Sequence, residues 1–197
     1  MAYIVENWLE ILGLVSGLLC VWLLIRENIL TFPLGLIYSV ITVVVVARAG
    51  LYADVLLNLY YVLMNAYGWY FWTYGGAKRR SNEVLAVTRI PGNQTLWLAG
   101  LLLLGTFTMG WYFAAHTDAA LPYPDSFTTV ASFIAMWMSA RKYLESWILW
   151  FVIDVIQVGL YLVKGIHEYA LLYLVYLGMA VAGWFSWRRH LTYAVSQ

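Results

Sequence analysis

The chain has 197 residues, of which 63% are hydrophobic, 18% aromatic and only 11% charged. A water-facing domain carries about 25% charged residues, so a soluble surface, disorder, collagen and coiled coil are all disfavoured. A formal net charge of +1 supplies no field to hold nucleic acid, and the single Cys20 has no partner for an internal disulfide.

In chain order, seven apolar segments have the length that a membrane-spanning helix needs, about 20 residues at 1.5 Å each. They run over 8–25, 31–47, 53–74, 94–115, 126–140, 147–163 and 169–187. The first is not expected to be a cleaved signal, because Glu6 is the one charge before it and no small-residue cleavage site follows. Arg26, Glu27 and Asn28 separate the first two spans. The longest connection, 75–93, holds Lys78, Arg79, Arg80, Glu83 and Arg89, then Pro91 and Gly92. Glycines and Pro33 give the helices places to bend.

Lys and Arg set the expected orientation. With the N-terminus outside, the inner connections hold Arg26, Lys78, Arg79, Arg80, Arg89, Arg141, Lys142, Arg188 and Arg189, and the outer ones only Arg48 and Lys164. The reading is therefore N-outside and C-inside.

The two ends of the chain repeat. At an offset of 115 there are fifteen identities over the fifty-one positions from Trp22 to Trp72, without a gap. Trp22 meets Trp137, Arg26 meets Arg141, Gly50 meets Gly165, and Gly68, Trp69 and Trp72 meet Gly183, Trp184 and Trp187. Each copy has three spans, an odd number, so adjacent copies would face opposite ways. The fourth span restores the orientation. The expected fold is all-α: seven transmembrane helices, as two parallel three-helix repeats (1–75 and 121–197) joined by a cytoplasmic loop and linker helix (76–120). Two such halves around a path form a transporter plan.

Three helices carry polar and aromatic stripes at steps of three and four, which place each set on one face. The third span gives Asn58, Tyr61, Asn65, Trp69 and Trp72. The sixth gives Trp150, Asp154, Gln157 and Tyr161, and the seventh Tyr169, Tyr173, Tyr176, Ala180 and Trp184. In the repeat register Asn58 corresponds to Tyr173 and Asn65 to Ala180, so the polar groups are not duplicated with the helices. Asp154 is the sharpest of these. A carboxylate in mid-span is costly and marks a ligand site or ion path by default, against the plainer reading of a structural acid. The amides can equally be glue between helices, and the tryptophans an interfacial belt. An acid beside indoles and phenols suits a cationic aromatic ligand, held by charge pairing, stacking and cation–π attraction. No Lys or Arg lies deep in a span, which disfavours a phosphorylated ligand.

Several pieces of sequence are similar to one family. Gly50-Leu-Tyr-Ala-Asp-Val-Leu-Leu-Asn58, then Asn65-Ala-Tyr-Gly-Trp-Tyr-Phe-Trp72, Arg141-Lys-Tyr-Leu-Glu-Ser-Trp147-Ile-Leu-Trp150 and the closing Gly183-Trp-Phe-Ser-Trp187 resemble the nicotinamide riboside transporters, the PnuC family. The resemblance covers nearly the whole chain. It implies a bacterial inner-membrane protein of 3+1+3 plan, similar to the SWEET sugar transporters, that passes an unphosphorylated vitamin precursor by facilitated diffusion. It implies a substrate site at mid-membrane drawn from Asn58, Tyr61, Asn65, Trp69, Trp150, Asp154, Gln157, Tyr173, Tyr176 and Trp184. Nicotinamide riboside is the first expected substrate and thiamine, also cationic, the alternative. The chain departs from the pattern in having Asp154 where some such transporters have asparagine four residues after the tryptophan, and Tyr38 where they can have asparagine. Lipid is the expected surroundings, and a homo-oligomer, a trimer included, fits the resemblance.

The expected mechanism is alternating access by rocking of the two halves, with no ATP, since no Walker A pattern is present. No enzyme, cofactor or metal is expected: His116, His167 and His190 are scattered near loops. A retinal receptor would need a lysine within the last span, where there is none. A structural or assembly protein is the rival from another class, and it leaves the off-symmetry Asp154 without a use.

Overall fold

The computed structural model describes residues 8–48, 52–75 and 85–191. Glu6, Gly50, Lys78, Arg79, Arg80 and Glu83, used above for orientation and repeat, lie outside them. Among the described residues there are seven helices: α1 (Trp8–Ile25), α2 (Thr31–Arg48), α3 (Tyr52–Tyr74), α4 (Gly92–His116), α5 (Pro122–Ala140), α6 (Ser146–Val163) and α7 (His167–Arg189). By composition and length α4, α6 and α7 can each cross a membrane, and α1 and α2 contain the shorter apolar stretches Val15–Ile25 and Thr31–Val44. The 23 residues of α3 are long enough, but its asparagines and tyrosines dilute its hydropathy.

The boundaries differ from the sequence expectation by a residue or two, except at the start of α5. There the helix takes in Pro122 and Pro124. Proline fits the first turn because its missing N–H is one that no helix satisfies anyway, and its fixed φ is already helical. The same reasoning corrects the reading of Pro33. It is the third residue of α2, inside the first turn, where it starts a helix and bends nothing.

The chain divides into two compact units at Leu85–Ala86. In the first, α1 packs on α2 and α2 on α3. The Thr31 hydroxyl donates to the Cys20 carbonyl at 2.9 Å, tying α2 back to α1. The Phe32 ring lies against Gly68 and meets Trp72 edge-on at 4.9 Å. In the second unit α4 packs on α5, α5 on α6 and α6 on α7. Val130, Ile134, Met138 and Tyr143 form its buried cluster, with Leu98, Leu102 and Met109 of α4 against it.

Local geometry recurs at the 115-residue offset. Thr31–Arg48 and Ser146–Val163 have the same bounds in that register, as do Tyr52–Tyr74 and His167–Arg189. Arg26 stands over the Trp22 ring at 5.4 Å, and Arg141 over Trp137 at 5.8 Å. Trp147 lies against Gly183 and meets Trp187 edge-on at 5.3 Å, repeating Phe32, Gly68 and Trp72. Among the described residues, the non-glycine residues with left-handed backbone, Glu27 at φ 54° and Lys142 at φ 61°, are also equivalent. Such a backbone costs an L-residue roughly 1–2 kcal/mol.

The end of the 75–93 connection is not free. Val87 and Thr88 pair with Leu191 and Tyr143 as isolated parallel bridges. The Leu144 amide donates to the Thr88 carbonyl at 2.9 Å, and the Ile90 amide to Glu145 Oε2 at 3.0 Å. Val87 is fully buried. At the opposite end of this unit Lys164 Nζ pairs with both oxygens of Asp125, at 2.8 and 3.0 Å.

Candidate functional site

Most hydroxyls within the helices are committed to their own backbone. Ser39 donates to Gly35 O, Thr42 to Tyr38 O, Thr108 to Leu104 O and Ser132 to Thr128 O, at 2.6–2.9 Å. In hydrocarbon a polar group needs such a partner. They are thereby weaker candidates for holding a ligand than groups that lack one.

In the first unit, the α3 stripe is split by its surroundings. Asn58 and Asn65 are buried. Asn65 Nδ2 donates to the Tyr61 carbonyl at 2.8 Å, and its amide lies directly against Gly35 of α2, where a Cβ would collide with it. Glycine is required there for the close approach. Tyr61 is half-buried. Trp69 is 43% exposed, so in its own unit it stands at the surface.

In the second unit, Asp154 is 5% exposed and sits at the centre of α6. Cross-helix contacts fix what stands level with it. On the α5 side, Trp150 meets Ser139 and Lys164 meets Asp125, which sets Ala135 at the height of Asp154. On the α7 side, Tyr161 meets Tyr173 and Trp147 meets Trp187, which sets Ala180 at that height. Both alanines are buried and neither offers a side-chain donor. No described residue donates a hydrogen bond to the Asp154 carboxylate. An acid buried without a partner is destabilising unless something else supplies the missing interaction.

Aromatic groups bracket this level. Trp150, one turn before Asp154, packs against the buried cluster formed by Ala131, Ala135 and Ile153, and its indole N–H donates to Ser139 Oγ at 3.2 Å. Gln157 follows Asp154 by three residues and is half-buried. Next come the tyrosines: Tyr161 stacks with Tyr169 at 5.2 Å and with Tyr173 at 5.4 Å, and Tyr173 meets Tyr176 edge-on at 5.9 Å. Lys164 Nζ stands 6.0 Å over the Tyr161 ring. Trp184 is not drawn into this group by any contact described. It lines a shallow apolar groove of about 280 Å³ with Trp147, Ile148, Phe151, Ala180, Val181 and Phe185, mostly outward residues.

The structure thus brings Trp150, Asp154, Gln157, Tyr173 and Tyr176 to neighbouring levels of one helix pair, and Asn58, Tyr61 and Asn65 to one face of α3. Three further residues enter that the expected site did not include, Ser139, Tyr161 and Tyr169. Tyr169 lay on the α7 stripe in sequence. Ser139 carried no signal beyond being a serine near the end of an apolar span. Among the described residues no three His, Cys, Asp or Glu side chains gather as a metal site.

Comparison with known proteins identifies the family. The model of the nicotinamide mononucleotide transporter family matches residues 7–189. The chain belongs to this family. The nicotinamide riboside transporter PnuC of Escherichia coli is 30% identical, over 92% of this chain and 85% of that one. The riboflavin/roseoflavin transporter RibM of Streptomyces davaonensis is 25% identical, over 91% of this chain and 84% of its own. A crystal structure of the vitamin B3 transporter PnuC superposes with a TM-score of 0.72 at 27% identity, covering 96% of this chain and 86% of that chain. The protein is therefore an all-α, seven-helix membrane transporter with the PnuC fold, and its family is one of transporters rather than enzymes.

Proposed function

We propose that this protein carries an unphosphorylated, cationic aromatic vitamin precursor, nicotinamide riboside first, across the bacterial inner membrane by facilitated diffusion. One observation carries the proposal: Asp154, buried at the centre of α6 with no hydrogen-bond partner among the described residues and Trp150 one turn away. A pyridinium ring supplies what that acid lacks. Its charge pairs with the carboxylate, and its face stacks on the indole, a contact worth about 0.5–2 kcal/mol through cation–π attraction. Gln157, Tyr173, Tyr176, Asn58, Tyr61 and Asn65 are the remaining candidate contacts, with Trp69 and Trp184 the least supported by their surroundings. A phosphate monoester is disfavoured, since Asp154 would repel it and its neighbours in α5 and α7 bring no cation to its level.

Thiamine is the second reading. It is favoured by the acid itself, which stands where riboside transporters similar to this chain can carry asparagine. The relatives include riboside and riboflavin transporters, so the family scaffold supports more than one vitamin class.

The proposed architecture is 3+1+3, with α1–α3 and α5–α7 as parallel repeats and α4 as the linker. The common helix bounds at the 115-residue offset support it. The proposed orientation is N-outside and C-inside, supported by the Lys and Arg bias. Accessibility labelling of single cysteines in the 75–93 and 164–166 connections tests it.

Titration calorimetry of the purified protein with nicotinamide riboside, thiamine and riboflavin side by side tests the substrate. Saturable binding of a cationic vitamin, with riboflavin weaker, is expected. Preference for riboflavin, or binding of none of the three, would overturn the proposal.

A further inference from the structure

We infer that Ser139 is a positioning residue for substrate, acting through Trp150. The inference rests on the reading of Trp150 as the stacking partner. Trp150 Nε1–H donates to Ser139 Oγ at 3.2 Å, from α6 to the last turn of α5. Ser139 is 2% exposed, so the bond is shielded from competition by solvent. Along the face of α5 that receives the indole run Ala131, Ala135 and Ser139, at steps of four. The ring packs against the buried apolar cluster that holds these alanines and Ile153. Apolar packing alone leaves the ring free to slide and to turn in its plane. The hydrogen bond removes that freedom by fixing where the N–H edge lies, and so which part of the ring face is offered one turn from Asp154.

The repeat register isolates this pair as a device of one half. Ser139 corresponds to Leu24 and Trp150 to Gly35. Neither the hydroxyl nor the indole has a counterpart in the first unit, whereas the scaffold contacts of Trp147, Gly183 and Trp187 do. In the first unit α1 and α2 are joined at other positions, by the bond from Thr31 to the Cys20 carbonyl, whose register equivalents are Ser146 and Ala135. The serine is paired with the tryptophan and with nothing that the fold repeats. A preorganised ring binds more tightly because its freedom is already lost before the ligand arrives.

The test is a double-mutant cycle read by calorimetric affinity for nicotinamide riboside and thiamine, with melting temperature recorded alongside. One neutral hydrogen bond corresponds to roughly a 3- to 10-fold change in Kd. Ser139→Ala is expected to weaken binding by about that factor, and Ser139→Thr, which keeps the hydroxyl, to restore it to within about 2-fold. In a Trp150→Phe background, where no N–H remains, Ser139→Ala should have no further effect on Kd. Ser139→Cys, which preserves side-chain size with a weak acceptor, gives the same reading should the alanine variant fold poorly. A bond that merely joined two helices would lower the melting temperature and leave Kd unchanged, and that result overturns the inference. So does an equal loss from Ser139→Ala in both backgrounds. If instead Trp150→Phe and Trp150→Ala bind both vitamins as the parent does, the stacking role of Trp150 falls, and the inference with it. Binding of neither vitamin by the parent protein overturns the proposed function itself.

Discussion

Replacing Gly183 by alanine gives a sharp test of the packing that holds α6 to α7. A Cβ at that position would lie 2.5 Å from Cδ2, Cε2 and Cε3 of Trp147. Carbon atoms pack at about 3.5–4.0 Å, so the indole would have to retreat by about 1 Å. It has nowhere to go. Trp147 is buried and rests edge-on against Trp187, which is fully buried. Overpacking of this kind costs about 1–3 kcal/mol, while alanine in place of glycine within a helix returns up to about 1 kcal/mol. The net loss is about 0–2 kcal/mol, and about 1–3 kcal/mol relative to a glycine-to-alanine change that meets no neighbour, at about 2–4 °C in Tm per kcal/mol for a soluble chain near this length. Thermal unfolding of the detergent-purified protein measures it. The internal control is Gly178→Ala in the same helix, where a Cβ meets nothing within 4 Å; it should be neutral or stabilising. In a Trp147→Leu background the penalty of Gly183→Ala should vanish. Equal melting temperatures for the two alanine variants, or a penalty that survives loss of the indole, would refute the reasoning.

The other expectations are functional and electrostatic. Asp154→Asn should weaken a cationic vitamin at least tenfold and a neutral isostere of it by less than threefold, because a charge pair in a buried site is worth several times a neutral contact; paired calorimetric titrations decide it, and equal losses would make Asp154 a structural acid. Trp150→Ala should weaken binding of the same ligand by about 3- to 30-fold if the ring stacks, with melting temperature showing that the fold is kept. The Asp125–Lys164 pair joins side chains that are one-third exposed, so Asp125→Asn should cost no more than about 1 kcal/mol. That loss should shrink when salt is raised from 0.05 to about 0.5 M; a salt-independent loss well above it would mean that the pair is shielded and holds the end of the helix bundle.

Much of this was legible in the sequence because it depends on chemistry within a single helix. The spans follow from apolar length, and the stripes on α3, α6 and α7 from steps of three and four. The start of α5 lies four residues before the apolar run that marks it in sequence, because Pro122 and Pro124 sit in a first turn where their lack of an N–H is harmless. What sequence could not supply is register between helices. The link from Ser139 to Trp150, the stack of Tyr161 on Tyr169 and Tyr173, and the pairing of Asp125 with Lys164 join residues on different helices. Trp184 shows the converse. Its spacing placed it on the same stripe as Tyr173 and Tyr176, but its side chain lines the outward groove with Ile148 and Phe151. A stripe defines a face about a hundred degrees wide, and which part of it meets a neighbour is decided only when the neighbour is in place.

The approach of Asn65 to Gly35 bears on how such a carrier can acquire a new cargo. In the equivalent places of the other unit stand Ala180 and Trp150, so the bulky and the small member of each pair have traded helices while each pair still contains one of each. Either half-step on its own is unfavourable: a larger residue at Gly35 strikes the Asn65 amide, and a smaller one at Trp150 leaves a hole beside Ala131 and Ala135. Variation at 35 and 65 is therefore expected to travel as a couple across α2 and α3, and variation at 150 with the α5 positions it meets, 135 and 139. A library that mutates one position at a time would sample mostly damaged proteins. One that varies 35 with 65, and 150 with 135 and 139, would sample altered selectivity on an intact scaffold.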